Sequence, residues 1–290
     1  MKTEYEVKYY THNTYEDPVK EAFFSFQITP CQDDTQRVLS VEFQHTLPAQ
    51  EFHHQNPFGF DVTSLYTAQP FREFRFEMTA LVEKTRPFLP TGTPLTVAEE
   101  QRALCAYDFF IDHHLYLGTG HYTHIEDGLR RRLLFREEKQ PVYDYLVQLN
   151  RFIHQMLEFD PEPTHVHTTV SEVIQLGRGV CQDYTHLFIG IARLNKIPCR
   201  YASGYLNQGL NLTGTAVMHA WAEAFVPGLG WQGFDPTNNL LADLNFIKAA
   251  HGADYGDCSP LRGVLKTTGG HKTAYGVTIH PTPMVGAAQQ

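Results

Sequence analysis

Three residues far apart in the chain carry side chains that together could open an amide bond: Cys181, His219 and Asp235. Cys181 lies in Gly177-Arg178-Gly179-Val180-Cys181-Gln182-Asp183-Tyr184-Thr185-His186, where a glycine turn delivers the thiol to the start of a helical apolar spacing. A cysteine attacks as its thiolate, and a helix N-terminus favours that anion through its partial positive charge and unpaired N–H groups. A neighbouring imidazolium favours it more, and a carboxylate behind the imidazole fixes tautomer and orientation. Singly, each residue has a plain explanation: a packed thiol, a hydrogen-bonded histidine, and a turn aspartate before Pro236. The combination is what points to nucleophilic chemistry.

The segment MHAWAEAFVPGLGWQGFDPTNN, Met218 to Asn239, reads as strand, Pro-Gly turn and strand. If Val226 pairs with Gly230, Trp221 faces Asp235, and His219 shares that face two positions further along, about 7–8 Å away on the diagonal. Side chains bridge that distance. A slip of one residue would put His219 and Asp235 on opposite faces, so the reading rests on the turn. On the same register Trp221, Trp231 and Glu223 share the face, which makes them candidate substrate-binding residues; simple packing for the tryptophans and a buried hydrogen bond for Glu223 compete with that role. Asp183, in the first turn of the Cys181 helix, reads as a dipole partner or structural acceptor.

The elements that must position these groups follow from periodicity. Residues 1–85 alternate as strands, with Tyr5–Tyr9, Ala22–Ile28, Arg37–Phe43 and Phe71–Met78 separated by turn-forming groups, and predict a small β-sandwich-like N-terminal domain in which nothing suggests chemistry. Three prolines in residues 86–94 suit an extended linker. Thr96-Val97-Ala98-Glu99 is a capping box that starts a helix reaching about His114, and Pro141 opens another to about Leu157. Thr169-Val170-Ser171-Glu172 caps a short helix ended by Gly177. Tyr184, Leu187, Phe188, Ile191 and Leu194 lie on one helical face, which Pro198 terminates, and Cys199–Leu206 reads as a strand. Domain limits are therefore 1–85 for the β-rich part and 86–290 for an α+β core with a C-terminal extension.

The block around Cys181, Ile197-Pro198-Cys199-Arg200-Tyr201 with Ser203-Gly204-Tyr205-Leu206, His219-Ala220-Trp221-Ala222-Glu223 and Gly230 to Asn238 together resemble the core of the bacterial transglutaminase-like superfamily, whose members include candidate cysteine proteases. The match runs over about residues 95 to 240, and Asp254 to Gly263 resembles the usual tail. The resemblance implies a papain-like core with Cys181 as nucleophile, His219 as base and Asp235 as its orienting residue. It also implies a thioester acyl-enzyme passed to water or to an amine, with no metal or organic cofactor.

Composition narrows the partners. A net charge of −9 with scattered basic residues disfavours nucleic acid, and the Arg130-Arg131-Arg132 run reads as a solvated helix face. The N-terminus contains no apolar run suited to a signal peptide or membrane span, so a cytoplasmic protein acting on a peptide or protein amide is expected. Five widely spaced cysteines form no CxxC pair and suggest free thiols. The sixteen histidines include His53-His54, His113-His114 and His165/His167, none in a familiar metal spacing, although Cys181, His219 and Asp235 are all competent zinc ligands and could share one ion. Beside the hydrolase stand two further functional readings, a true transglutaminase and a non-catalytic binding or scaffold module.

Overall fold

The computed structural model describes residues 2–85, 95–207, 209, 212–213 and 216–282; the proline-rich segment expected as a linker lies outside them. Six strands come first: β1 (Lys2–Val19), β2 (Glu21–Phe26), β3 (Gln36–His45), β4 (Gln50–Gln55), β5 (Asp61–Thr67) and β6 (Phe71–Thr85). Then follow α1 (Val97–Leu104), α2 (Tyr107–His113), α3 (Val142–Met156), β7 (Glu158–Phe159), α4 (Val170–Leu176), β8 (Arg178–Gly179) and α5 (Cys181–Leu194). The remainder is β9 (Cys199–Leu206), β10 (His219–Val226), β11 (Gly230–Asp235), β12 (Leu240–Leu241), β13 (Phe246–Gly252), α6 (Tyr255–Cys258), β14 (Leu261–Lys266) and β15 (His271–Thr282).

Two four-stranded antiparallel sheets, β15-β1-β6-β3 and β14-β2-β5-β4, form a sandwich. Alternation in β1 and β6 turns Val7, Tyr9, Phe74, Phe76 and Met78 inward, and Phe76 stacks on Phe26 of the facing sheet with centroids 3.9 Å apart. The last two strands come from the far end of the chain: β15 pairs with β1 and β14 with β2. What the sequence assigns to a C-terminal extension of the core is thus built into the N-terminal sandwich, because its alternating strands complete the two sheet edges.

The core has a five-stranded antiparallel sheet, β12-β11-β10-β9-β13. One face presents Ala220, Ala222, Ala224 and Tyr201 to Leu187, Phe188 and Ile191 of α5. Alanine is a poor strand former, but here its small side chain lets the helix lie close to a central strand. The single apolar stripe expected for α5 underestimates its burial: Gln182 to Arg193 are all buried, since the loop through Thr123 and Ile125 covers the other side. Each fully buried leucine, isoleucine or phenylalanine contributes about 1.5–3 kcal/mol, which makes α5 the central strut of the core.

Local signals place the other helices. The capping boxes at Thr96 and Thr169 are both formed, with Glu99 and Glu172 side chains returning to the capping N–H at 2.8 and 2.7 Å. The helix begun at Thr96 breaks at Ala106, whose extended backbone redirects α2 so that Phe109 packs edge-on against Phe225.

Candidate active site

Cys181 is the first residue of α5, and the turn before it is built to hold it there. Gly177 adopts φ +71, a left-handed conformation open to glycine, and closes α4. Asp183 then folds back over the turn, its Oδ2 accepting from the Val180 N–H and the Thr164 hydroxyl, each at 2.8 Å. A Cβ on Gly179 would lie 2.5 Å from that oxygen, so glycine is what allows the close return. Burial raises the Asp183 carboxyl by more than these hydrogen bonds lower it. Its role is that of a structural acceptor.

The hairpin takes the register anticipated from its turn: Val226 pairs with Gly230 and Ala222 with Phe234. His219 and Asp235 accordingly share a face, and His219 Nε2 lies 2.9 Å from Asp235 Oδ2 with both side chains fully buried. The carboxylate is saturated, because Asn238 Nδ2 donates to Oδ2 at 2.8 Å while the Thr237 and Asn238 N–H groups donate to Oδ1 at 3.0 and 3.3 Å. Asn238 also bonds Thr213 in both directions, its Oδ1 accepting at 2.9 Å and its Nδ2 donating at 3.2 Å, and so ties the preceding loop to Asp235.

With Nε2 committed to Asp235, Nδ1 is the nitrogen left for a thiol. It is buried and has no conventional hydrogen bond among the described residues, and Cys181 is the thiol that interacts with this imidazole. Burial disfavours the imidazolium, but the Asp235 charge, the hydrogen bond to it and the Cys181 thiol outweigh burial and raise His219 to about 10. Burial also acts to raise Asp235, and the imidazolium together with the Asn238 bonds pulls it below the ordinary carboxylate range. The pair therefore holds a proton on His219 at neutral pH, the form that stabilises an adjacent thiolate. Asp235 takes one ring nitrogen of His219 and leaves the other for a relay, and among the described residues no group of three His, Cys, Asp or Glu side chains is placed to share one metal ion.

The other cysteines differ. Burial pushes Cys31 and Cys199 up to about 12 and raises Cys258 well above its ordinary value, while Cys105 is exposed and accepts from Gln101 Nε2 at 3.4 Å. Cys181 is half-buried and borders a cavity of about 530 Å³. Val180, Gln182, Tyr201, Ser203 and Met218 also line it, and so do Tyr9, Thr11, Thr273 and Tyr275 of the sandwich. The expectation that the N-terminal strands carry nothing relevant to chemistry is thus corrected: β1 supplies one wall of the cleft. Alternation in β1 gives no hint of this, because the wall depends on how the sandwich seats on the core.

Trp221, Trp231 and Glu223 share the strand face of His219 but do not line the cavity. Trp221 is buried with Ala202, Leu206 and Phe246, and its ring meets Phe246 edge-on. Trp231 lies under the Arg200 guanidinium, 4.1 Å from the ring centroid. Glu223 accepts from Arg200 Nε and Nη2 at 2.7 Å each and pairs with Lys248 Nζ at 3.1 Å. A strand rises about 3.3 Å per residue, so Glu223 is roughly 13 Å from His219 along β10, and a shared face does not amount to a shared site.

Two family descriptions match the chain: the transglutaminase-like superfamily over residues 132–236 and the bacterial transglutaminase-like N-terminal region over residues 5–83. The chain carries a transglutaminase-like core behind a bacterial transglutaminase-like N-terminal region. All three residues of the His219–Asp235–Cys181 cluster fall within the superfamily core match. The crystal structure of a candidate cysteine protease from Cytophaga hutchinsonii superposes with a TM-score of 0.75 over 97% of this chain and 98% of that one, at 19% identity, and shows the same fold. An uncharacterized protein of Mycobacterium leprae is 28% identical over 269 residues, covering 89% of this chain and 92% of its own. One of Mycobacterium tuberculosis is 33% identical over 159 residues, covering 52% of this chain and 50% of its own.

Proposed function

We propose that this transglutaminase-like chain is a cysteine-dependent amide hydrolase acting through Cys181. The observation that carries the reading is the buried 2.9 Å contact of His219 Nε2 with Asp235, which leaves Nδ1 for the thiol. In the reaction the Cys181 thiolate attacks the amide carbonyl and forms a C–S bond, and the backbone N–H of Cys181, at the first turn of α5, supports the oxyanion. The His219 imidazolium gives its proton to the leaving nitrogen as the C–N bond breaks. A water then yields a proton to neutral His219 and attacks the thioester, releasing the acid and restoring the thiolate. Asp235 holds the ring throughout, and Asn238 holds Asp235.

Transfer of the acyl group to a lysine is the second reading, and the cavity lining bears on it. No aspartate or glutamate is among the described residues that line the cleft, so an incoming ammonium meets no carboxylate there. That supports water as acceptor. Incubation with peptide amides, with and without millimolar primary amine, tests the choice: free acid in both samples supports hydrolysis, whereas an amine adduct as the main product supports transfer. No product in either, with Cys181 intact, would contradict both.

A further inference from the structure

We propose that the β1–β15 strand pair is a substrate-selecting wall, and that the cleft beside Cys181 takes the acyl portion of a peptide whose side chain at the scissile carbonyl is aromatic or aliphatic. The proposal rests on the hydrolase reading and names its substrate class. The register of the two strands puts Thr11 opposite Tyr275, and alternation sets Tyr9 and Thr273 on the same face. These four residues form one contiguous side of the cavity. Phe159, Val166, Met218 and Leu261 add further apolar lining.

The chemistry of this lining is selective. No Asp, Glu, Lys or Arg is among the described residues around the cavity, and His219 is already committed to Asp235. A charged side chain entering would lose water and meet no counter-charge beyond the mutually neutralising Cys181–His219 pair, whereas an apolar one gains by burial. Tyr275, Phe159 and Val166 are each exposed by 40–53% at the cleft, so they offer apolar surface that a substrate can cover. A volume of about 530 Å³ falls in the range that encloses a short peptide segment. The acyl group is the part of the substrate that stays bonded to Sγ after the amine departs, and the cavity abutting Cys181 is the space open to it. Neither β1 nor β15 belongs to the superfamily core over 132–236, so selectivity is supplied by the added sandwich.

The test uses dipeptidyl acyloxymethyl ketones that differ only in the residue next to the ketone: Phe, Leu, Glu or Lys. The Cys181 thiolate displaces the carboxylate leaving group, one C–S bond forming as one C–O bond breaks, and mass spectrometry reads the rate at Cys181. Each rate is divided by the iodoacetamide rate of the same protein, which reports thiol activation without a side chain. The Phe and Leu probes are expected to exceed Glu and Lys by about tenfold or more. Tyr275→Ala is expected to bring the Phe advantage down at least about fivefold, Tyr275→Phe to retain it, and Thr273→Lys to improve the Glu probe relative to Phe. Equal rates across the series, with iodoacetamide labelling still dependent on His219, would overturn the selectivity proposal and leave the hydrolase reading standing. Iodoacetamide labelling indifferent to His219 would overturn the hydrolase reading and the proposal with it.

Discussion

Strand β10 carries two buried charge clusters on one face, and they differ in a way that separates chemistry from architecture. At its middle, Glu223 is gripped by Arg200 and Lys248, while Lys248 also reaches Asp33 at 3.3 Å and so joins the core to the sandwich. At its start, His219 is gripped by Asp235 alone, with a second ring nitrogen unspent beside a thiol. Both clusters shift pKa values strongly. Burial opposes ionisation of Glu223, but its cationic neighbours hold it well below the ordinary carboxylate range. A shifted pKa therefore marks a buried pair, and what singles out His219 as the candidate for chemistry is a ring nitrogen without a hydrogen bond in a residue that lines the cavity.

The contrast predicts different failures. His219→Ala is expected to lower kcat/KM on a cleaved peptide amide by about 10⁵–10⁶-fold while the protein stays folded, as seen by circular dichroism. Asp235→Asn keeps the shape of the site but loses the charge that holds the imidazolium, for an expected loss of about 10⁴-fold. Glu223→Gln should do the reverse: about 3–5 kcal/mol off the unfolding free energy in urea, because Arg200 and Lys248 are left underpaired, with kcat/KM within a few-fold of wild type in the folded protein. If Glu223→Gln were stable and inactive, the division between the two clusters would fail. Asn238→Ala is expected to cost about tenfold in kcat/KM and to raise the Asp235 pKa seen by NMR, because the Asn238 side-chain hydrogen bond helps hold that carboxyl down, a change that simple loss of packing would not produce.

The smallest effect is on stability against pH. His219 titrates near 6.5 when unfolded and about 10 when folded, so its stabilisation is complete below pH 6.5 and fades as pH rises toward 10. Asp235 is shifted down from 3.8, so its stabilisation is present above that value and is lost as pH falls through its folded pKa. The Tm difference between wild type and His219→Gln should therefore be largest between about pH 4 and 6.5 and shrink as the solution becomes alkaline. A difference that grew toward pH 10 would mean that His219 is neutral in the folded protein.

Much of this arrangement is legible in the chain. The Pro227-Gly228-Leu229-Gly230 turn sets the hairpin register, and with it the pairing of His219 and Asp235, because strand parity follows from a single turn. The capping boxes and Gly177 mark helix ends that are local in origin. What is not legible is contact between parts distant in sequence. Glu223 looks like a ligand group because parity says which face a residue occupies and nothing of the Arg200 and Lys248 that wait there. Tyr9 and Tyr275 reach the cleft through the pairing of the first and last strands, a closure with no local signal. Asn238 is visible in the Asp235-Pro236-Thr237-Asn238 turn, but its second grip, on Thr213, is not.

The most direct test of the central claim is the rate of Cys181 alkylation by iodoacetamide at pH 6 in wild type and His219→Ala, with mass spectrometry separating it from exposed Cys105. The account predicts rapid Cys181 labelling at pH 6 that falls by about tenfold or more without His219, while Cys105 labels slowly in both proteins. Cys181 labelling at pH 6 that is slow and equal in the two proteins would contradict it.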